Sequence, residues 1–313
     1  MKKIILLLVS ILLVMTSCKK TVEPTDEKTP TVSIETPSTP TPPLTEDVVS
    51  PTKPTPTKPV TPDVSTGDII NSGDVEITEL SSSFESISLE WKYVDEVDDF
   101  NVYYKKTNDQ TYFKLDKMLI RQYPDYYRAD ILGISEGEYD IKVISVKDDI
   151  EIGNFTKAII NVLGHDRSGF SFLGESSGAY NNDGTLKDNA QVVYVTKNNA
   201  KTVTAQVNGE VQTGLQTILD AKQKKNTSND ILCIRIIGTI SLSDLDHISS
   251  SSEGLQVKGR SAYTNMNITI EGVGNDAYFN GFGILLRNSS NVEIRNLGFI
   301  NYMDDGISID TDN

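Results

Sequence analysis

A repeat with a period in the low twenties, near the end of the chain, most restricts how this protein can fold. The segment NITIEGVG at 267–274 aligns with NVEIRNLG at 291–298. FGILLRNS at 282–289 aligns with DGISIDTD at 305–312, at nearly the same offset. Each unit holds two short apolar stretches separated by Gly and Asn, and it lacks the Leu spacing of leucine-rich repeats. The pattern therefore predicts a parallel β-helix, in which stacked turns bury their apolar side chains against each other.

An amphipathic stretch, TGLQTILDAKQKKN at 213–226, precedes the repeat. Its apolar residues Leu215, Ile218 and Leu219 share one face at helical spacing, and lysines follow them, so we expect a short helix. This helix would cap the first turn of the solenoid, where strand edges would otherwise be unpaired. The next apolar run contains Cys233, which we interpret as a core residue rather than a nucleophile.

Residues 71–165 alternate apolar and polar side chains in six short stretches separated by turn residues. This pattern is typical of a small antiparallel β-sandwich. The single tryptophan, Trp91, lies in ISLEWKYV, and Tyr139 in GEYDIKVISV occupies the place of a tyrosine corner. These segments resemble a fibronectin type III domain. Four further tyrosines are interpreted as packing residues rather than as a glycan-binding or protein-binding surface: Tyr103, Tyr104, Tyr126 and Tyr127.

Residues 1–18 have the composition of a secretory signal, with Lys2 and Lys3 before an apolar run. That run is shorter than the roughly 20 residues that span a bilayer as a helix. Met15-Thr16-Ser17-Cys18 resembles a bacterial lipobox, with Met where Leu is usual. The resemblance implies cleavage before Cys18 and its acylation, so we expect an extracellular protein anchored to the cell envelope by lipid. Residues 19–70, rich in Pro and Thr and without aromatics, predict a disordered linker.

Composition excludes several classes of partner and site. The net charge of −15 argues against nucleic acid and anionic membrane surfaces as partners. Two cysteines far apart imply no disulfide framework, and two histidines allow no Cys/His metal cluster. Nothing in the sequence predicts an oligomer, so we expect a monomer.

The region of the repeat also resembles a known enzyme family. VVYVTKNNAKTV, TGLQTILDAKQ, IRIIGTI, ITIEGVGNDAYFNGFGILLRNSSNVEIRNLGF and DDGISID occur between residues 178 and 313 in the order found in pectate lyases of the first polysaccharide lyase family. The resemblance implies cleavage of polygalacturonate by β-elimination. In that reaction calcium bridges an Asp to the substrate's carboxylates, and an Arg removes the C5 proton. The calcium position falls on Asp305. The family's further carboxylate is Met303 here, so Asp304 is the candidate second ligand.

The resemblance also indicates what the sequence as given lacks. The family's W-x-D-H strand, its later calcium ligands and its catalytic Arg would all follow residue 313, and Arg287 and Arg295 come too early to be that base. We therefore expect no catalytic residue in this sequence and no turnover by it alone. The predicted fold is all-β: a fibronectin type III-like β-sandwich, then a truncated right-handed parallel β-helix (166–313) with an N-terminal capping helix. Its last turn would expose Ile307 and Ile309.

Two other functions remain open from the sequence. A β-helix hydrolase of the polygalacturonase type also uses paired Asp residues, as general acid and water activator. A non-catalytic surface protein could use both domains to bind a glycan. For Asp310 and Asp312 we favour a structural role, as turn and ladder residues between solenoid turns, and for Asp305 this role is the alternative to metal binding. A lyase yields an unsaturated, ultraviolet-absorbing product, a hydrolase yields reducing ends without that absorbance, and a binding protein yields neither.

Overall fold

The structure is a computed structural model, and it describes residues 65–71, 73–167, 172, 178–224 and 229–310. The described residues are mostly β-strand, with one α-helix. The strands of the first region, here called the sandwich region, are β1 (Ser65–Thr66), β2 (Asp68–Ile70), β3 (Ile77–Ser83), β4 (Ser86–Trp91), β5 (Asp99–Lys106), β6 (Phe113–Lys114), β7 (Ile120–Gln122), β8 (Tyr127–Leu132), β9 (Gly137–Lys147) and β10 (Ile150–Val162).

The second region, here called the stack region, covers the described residues from 178 to 310. Its elements are β11 (Gln191–Thr196), β12 (Thr204–Val207), β13 (Glu210–Thr213), α1 (Leu215–Lys224), β14 (Leu232–Ser241), β15 (Gly254–Lys258), β16 (Thr264–Asn280), β17 (Gly283–Arg287), β18 (Ser289–Arg295), β19 (Gly298–Ile300) and β20 (Ile307–Asp310). Short 3-10 helices occur at Lys117–Leu119 and Leu242–Asp244.

Two antiparallel sheets form the sandwich region, in the orders β1-β3-β4-β8-β7 and β2-β10-β9-β5-β6. The predicted stretches correspond to β3, β4, β5, β8, β9 and β10, so the alternation located all the long strands. Ile87, Leu89 and Trp91 alternate on β4 and are fully buried, as expected for one face of a strand in a core. The Trp91 ring meets that of Phe100, on the other sheet, edge to face at 5.2 Å. One apolar core therefore lies between the two sheets.

The structure also places the aromatic residues that the sequence singled out. The hydroxyl of Tyr139 donates to the carbonyl of Ser135, just upstream, at 2.9 Å, which is the bond of a tyrosine corner. Tyr104 and Tyr127 pack against the sandwich core, as predicted. Tyr103 instead lies on the outer face of its sheet, where its hydroxyl donates to Glu151 at 2.5 Å.

The sheets begin before residue 71, where the sequence indicated linker. β1 pairs with β3, and β2 pairs with β10, both antiparallel. These strands are very short and their side chains are at most partly buried. Backbone hydrogen bonds hold them to the sheet edges, so they carry no hydrophobic alternation that a sequence pattern could reveal.

Apart from β12 and β13, which pair antiparallel, the strands of the stack region pair in parallel, and the pairs β16–β18 and β17–β20 have the spacing that the repeat predicts. One sheet has the order β11-β14-β16-β18, with β19 also on β16, and another has the order β15-β17-β20. Ile268 lies beside Val292, and Ile284 lies beside Ile307, so each residue neighbours its counterpart in the next repeat unit. Buried apolar side chains from both sheets form one core cluster. On β20, Ile307 and Ile309 are exposed, as expected.

Helix α1 covers one edge of this stack, as predicted. Leu215, Ile218 and Leu219 are buried in the core cluster. The side-chain amide of Gln216 donates to the carbonyl of Gln256 at 3.1 Å and accepts from its N–H at 2.9 Å. Gln216 thereby supplies the hydrogen bonds that a neighbouring strand would give β15, which closes an edge that would otherwise be unpaired.

The two regions share an apolar and ionic boundary, and the described residues of both belong to one compact unit. Val273 of the stack region belongs to the sandwich core cluster, and Tyr194 and Ile237 pack against it. Arg121 of β7 pairs with Asp276 of β16 at 2.8 Å. In the part of the chain that the structure describes, the sandwich therefore covers one outer face of the stack and does not cover the outer face of β15-β17-β20.

Candidate metal centre

Three carboxylates meet at the edge of the open sheet. Glu253 directly precedes β15, and Asp304 and Asp305 lie in the loop before β20. One carboxylate oxygen from each of them lies within 4.8 Å of the others. Because parallel strands begin at the same edge of a sheet, the register of β15, β17 and β20 brings these loops together. The sequence predicted Asp304 and Asp305 as a pair, and the structure adds Glu253.

Gly283, at the start of β17, lets the two loops approach. Its N–H donates to the carbonyl of Glu253 at 2.7 Å. A Cβ at this position would lie 1.9 Å from the carbonyl oxygen of Asp305, closer than atoms can approach. Only glycine therefore fits between the loop that carries Glu253 and the loop that carries Asp305.

The cluster is anionic, and the part of the chain that the structure describes gives it no cation. Glu253 is 5% exposed, whereas Asp304 and Asp305 are exposed to solvent. The hydroxyl of Ser252 donates to Asp304 at 2.8 Å and reaches Glu253 at 3.4 Å. Within the described residues, no Lys or Arg nitrogen lies within 4.0 Å of these three carboxylates. A buried carboxylate is normally paired, so Glu253 has the environment of a metal ligand.

The donor set fits calcium. Calcium takes six to eight oxygen ligands at about 2.3–2.6 Å, so two oxygens on opposite sides of the ion lie roughly 5 Å apart. The carboxylate oxygens of Glu253, Asp304 and Asp305, all within 4.8 Å, can therefore share one ion. Since two of the three residues face solvent, ligand positions remain open to water or to an anionic substrate.

A cleft of about 380 Å³ adjoins this cluster. It is lined by the loop 250–253 and by outward side chains of β15, β17 and β20. Arg287 of β17 donates to Asp310 of β20 through Nε at 2.9 Å. Asp310 is thus a ladder residue between neighbouring strands, the structural role expected for it, while Asp312 lies outside the described residues.

A second set of charges lies buried on the opposite side of the stack region. Glu271 of β16 accepts from Tyr180 at 2.6 Å, from Arg235 Nε at 2.7 Å and from Arg295 Nε at 2.8 Å. Burial acts to raise the pKa of Glu271, but the two arginines outweigh burial and lower it. Burial acts to lower the pKa of Arg295, but Glu271 raises it overall. Arg295 therefore stays protonated and serves as a structural cation, not a base.

Cys233 and His247, the remaining residues that could act as a nucleophile or a base, both have structural roles. Cys233 is a free, fully buried thiol, and burial together with Glu271 raises its pKa to about 12, so it is not a nucleophile at neutral pH. The exposed ring of His247 lies 3.0 Å from Asp220 and 2.9 Å from Asp246. Partial burial opposes its protonation, but these two carboxylates raise its pKa. Asp246 also accepts from the first N–H groups of α1, so His247 belongs to the helix cap.

Sequence reasoning missed Glu253 because the solenoid turn that begins there is longer than the repeat found in the sequence. The step along the chain from Leu255 to its neighbour Ile284 is longer than the next step, from Ile284 to Ile307. The repeat was therefore visible only from residue 267 onward. The segment SSSSEG before β15 resembles an ordinary polar loop, and Gly283 was the one signal that two loops approach closely there.

Comparison with known protein families, with curated proteins and with solved structures finds no match to this chain. The part of the chain that the structure describes contains no helix with the length and apolar character needed to cross a membrane. Cys18, the predicted lipidation site, lies outside the described residues.

Proposed function

We propose that this protein acts on polygalacturonate by calcium-assisted β-elimination, with Glu253, Asp304 and Asp305 holding the cation. The observation that carries the proposal is the meeting of three carboxylates, one of them buried, with no Lys or Arg partner among the described residues. An acidic protein that binds a polyanion needs a cation between them, and this cluster supplies oxygen ligands for one. Bound calcium would neutralise a uronate carboxylate and acidify the proton on the adjacent C5.

The chain's own residues would position the substrate. Asp304 and Asp305 face solvent, so an ion held by them remains accessible to a uronate carboxylate. The cleft along β15, β17 and β20 gives the sugar chain a surface beside the cluster. No side chain is assigned as the base, because Arg287 engages Asp310 and Arg295 is locked to Glu271.

The architecture proposed with this function is a fibronectin type III-like sandwich followed by a right-handed parallel β-helix. The strand orders, with a tyrosine-corner bond at Tyr139, support the first assignment. The parallel registers, which pair each residue with its counterpart in the next repeat unit, support the second. Both proposals agree with the ordered lyase-like segments in the sequence.

The carboxylate spacing favours a cation site over an inverting hydrolase. The acid and base of inverting glycosidases are roughly 6.5–9.5 Å apart, which leaves room for the attacking water. The three carboxylate oxygens here lie within 4.8 Å of one another. Carboxylates this close, with no Lys or Arg partner in the described chain, are better suited to share a metal ion than to flank a glycosidic bond.

The proposed location is the outer face of a bacterial cell envelope, through acylated Cys18. Acyl chains anchor a protein because each buried methylene adds to membrane affinity. We expect Cys18→Ala to release the protein from membranes into the aqueous phase of a detergent partition. If the variant stays in the detergent phase as fully as the parent, the lipid anchor is not at Cys18.

The test of the proposed function is the effect of calcium on retention of the chain by polygalacturonate. We expect calcium to increase retention over that in chelator, and Asp305→Asn to abolish the increase. Asp188→Asn, an exposed carboxylate elsewhere, is the matched control. No product is expected from the sequence as given, because no side chain in it is assigned as the base, and ultraviolet-absorbing product would show that it carries one. Reducing ends without absorbance would indicate the hydrolase, and retention unaffected by calcium would contradict the proposal.

A further inference from the structure

A row of three lysines and one tyrosine crosses the outer face of the sandwich region. Lys114 on β6 lies opposite Tyr103 on β5, and Tyr103 lies opposite Lys142 on β9. Lys142 in turn lies opposite Lys157 on β10. Neighbouring strands are about 4.8 Å apart, so these side chains form one line across four strands. Like charges directly opposite each other destabilise a sheet, and Lys142 with Lys157 is such a pair.

Among the described residues, the lysines of this row have no carboxylate partner. No carboxylate oxygen of that part of the chain lies within 4.0 Å of Lys114, Lys142 or Lys157. Four other lysines of the sandwich region do have such partners: Lys92, Lys105, Lys117 and Lys147. In a protein with a net charge of −15, acidic partners are abundant. This line of cations is therefore a local feature that an anionic ligand would complement.

Aromatic rings hold the central lysine in place. The Lys142 ammonium lies 3.8 Å from the centre of the Tyr112 ring and 5.3 Å from that of Phe155. Partial burial lowers the pKa of Lys142, and the nearby Lys157 and Lys105 lower it further. A fixed cation loses less freedom on binding than a mobile one, so this arrangement is preorganised for an anion.

We propose that the row Lys114–Tyr103–Lys142–Lys157 is a second binding site for polygalacturonate, independent of calcium. The uronate chain carries one carboxylate per sugar ring, and adjacent strands are separated by about one ring length. Lys142 and Lys157 on adjacent strands therefore suit neighbouring rings, whereas Lys114 lies two strands from Lys142 and suits the next ring but one. The Phe155 ring, edge-on to Tyr103 at 6.1 Å, adds an apolar surface for a sugar face. The identity of the polyanion rests on the proposed function, whereas the location of the site rests on the row itself.

The surroundings of the row favour a polysaccharide over a nucleic acid or an anionic membrane. Glu151 lies at one side of the row, where it accepts from Tyr103 and from Asn101, each at 2.5 Å. This carboxylate repels phosphate and uronate alike, but it can accept hydrogen bonds from sugar hydroxyls, which a polysaccharide offers on every ring and duplex DNA does not. The net charge of the protein likewise opposes surfaces of dense negative charge.

The test measures retention of the full chain on polygalacturonate in chelator, where the carboxylate cluster holds no calcium. We expect the triple variant Lys114→Gln, Lys142→Gln and Lys157→Gln to bind at least about tenfold more weakly. A triple variant at Lys92, Lys147 and Lys201 makes the same change of charge elsewhere and should bind like the parent. Raising the salt concentration should weaken polygalacturonate binding by the parent and leave the residual binding of the row variant nearly unchanged. Thermal unfolding checks that both variants fold.

The outcomes separate this site from the calcium site. If only the row variant loses binding in chelator, the row is a binding site for polygalacturonate. This conclusion holds even if calcium has no effect and the proposed function fails. Equal binding by the two triple variants would show that the row is not a binding site, even if Asp305→Asn abolishes the calcium effect. Tighter row-dependent binding to phosphatidylglycerol vesicles or to duplex DNA than to polygalacturonate would also overturn the proposal, because the row would then respond to charge density alone.

Discussion

Glu271 lies within one sheet of the stack and Glu253 lies just before a strand of the other, and these two buried carboxylates have opposite environments. Glu271 faces the sandwich and is met by two arginines and a tyrosine hydroxyl. Glu253 lies at the open edge beside two more carboxylates and has no cation within ion-pair distance among the described residues. Burial alone therefore does not identify a functional acid. A buried acid whose oxygens pair with cations of the protein stabilises the fold, whereas a buried acid that lies among like charges is suited to bind a cation from solution.

The largest effect should follow from removing Glu271. Glu271→Ala leaves Arg235 and Arg295 buried without their shared partner, which should lower the free energy of unfolding by about 3–5 kcal/mol. Urea unfolding measures this loss, with exposed Glu210→Ala as the control. A loss below about 1 kcal/mol would show that water reaches the arginines and compensates for the missing carboxylate.

The next effect concerns the glycine that lets the two acidic loops meet. Gly283→Ala places a methyl group against the Asp305 carbonyl, and overpacking of this kind costs about 1–3 kcal/mol. The loops must separate to relieve the clash, so calcium affinity should also fall. Calorimetry and urea unfolding of the same variant measure both effects. If Gly283→Ala has unchanged stability and calcium affinity, the close approach of the loops does not define the site.

The pH dependence of stability should report on Glu271. The pKa of Glu271 is lowered in the folded protein, so its contribution to stability is complete above the unfolded pKa of about 4.3 and is lost as the pH falls through the folded pKa. Unfolding measured from neutral to acidic pH should show a smaller acid-induced loss in Glu271→Gln than in the parent. Equal losses would mean that other carboxylates dominate acid unfolding.

The smallest effect, and one of opposite sign, is expected at Glu253. In chelator, Glu253→Gln removes one of three neighbouring negative charges, so stability should rise by on the order of 0.5 kcal/mol. The same change should prevent stabilisation by calcium, because a ligand that binds only the folded state stabilises it. A destabilised variant in chelator would indicate that Glu253 has a structural role like that of Glu271.

Periodicity located most of the fold, because each strand or helix with a one-sided apolar pattern carries its own signal. The offsets within the repeat predicted the neighbours of Ile268 and Ile284, and helical spacing predicted α1. Pairings made only by backbone, such as β1 and β2, leave no such signal. The site was half predictable: Asp304 and Asp305 stand next to a recognisable repeat, whereas Glu253 joins them through a turn of different length.

The buried network around Glu271 was not predictable from any single segment. Its members come from a loop (Tyr180) and from three strands, β14, β16 and β18. Glu271 and Arg295 occupy polar positions of alternating strands, which predicts exposure to solvent, and Arg235 is a single charged residue within an apolar run. They are buried because the sandwich covers that outer face of the stack, and a pattern within one strand carries no information about what packs on its outer side.

Calcium titration by calorimetry, with parent and variants compared in one buffer, decides whether the three carboxylates form a metal centre. We expect one calcium ion bound per chain, with affinity reduced about tenfold or more in both Glu253→Gln and Asp305→Asn. Asp188→Asn, at an exposed position away from the cluster, should bind calcium like the parent. Absence of calcium binding in the parent, or binding that Glu253→Gln leaves unchanged, would show that the cluster is not a calcium site.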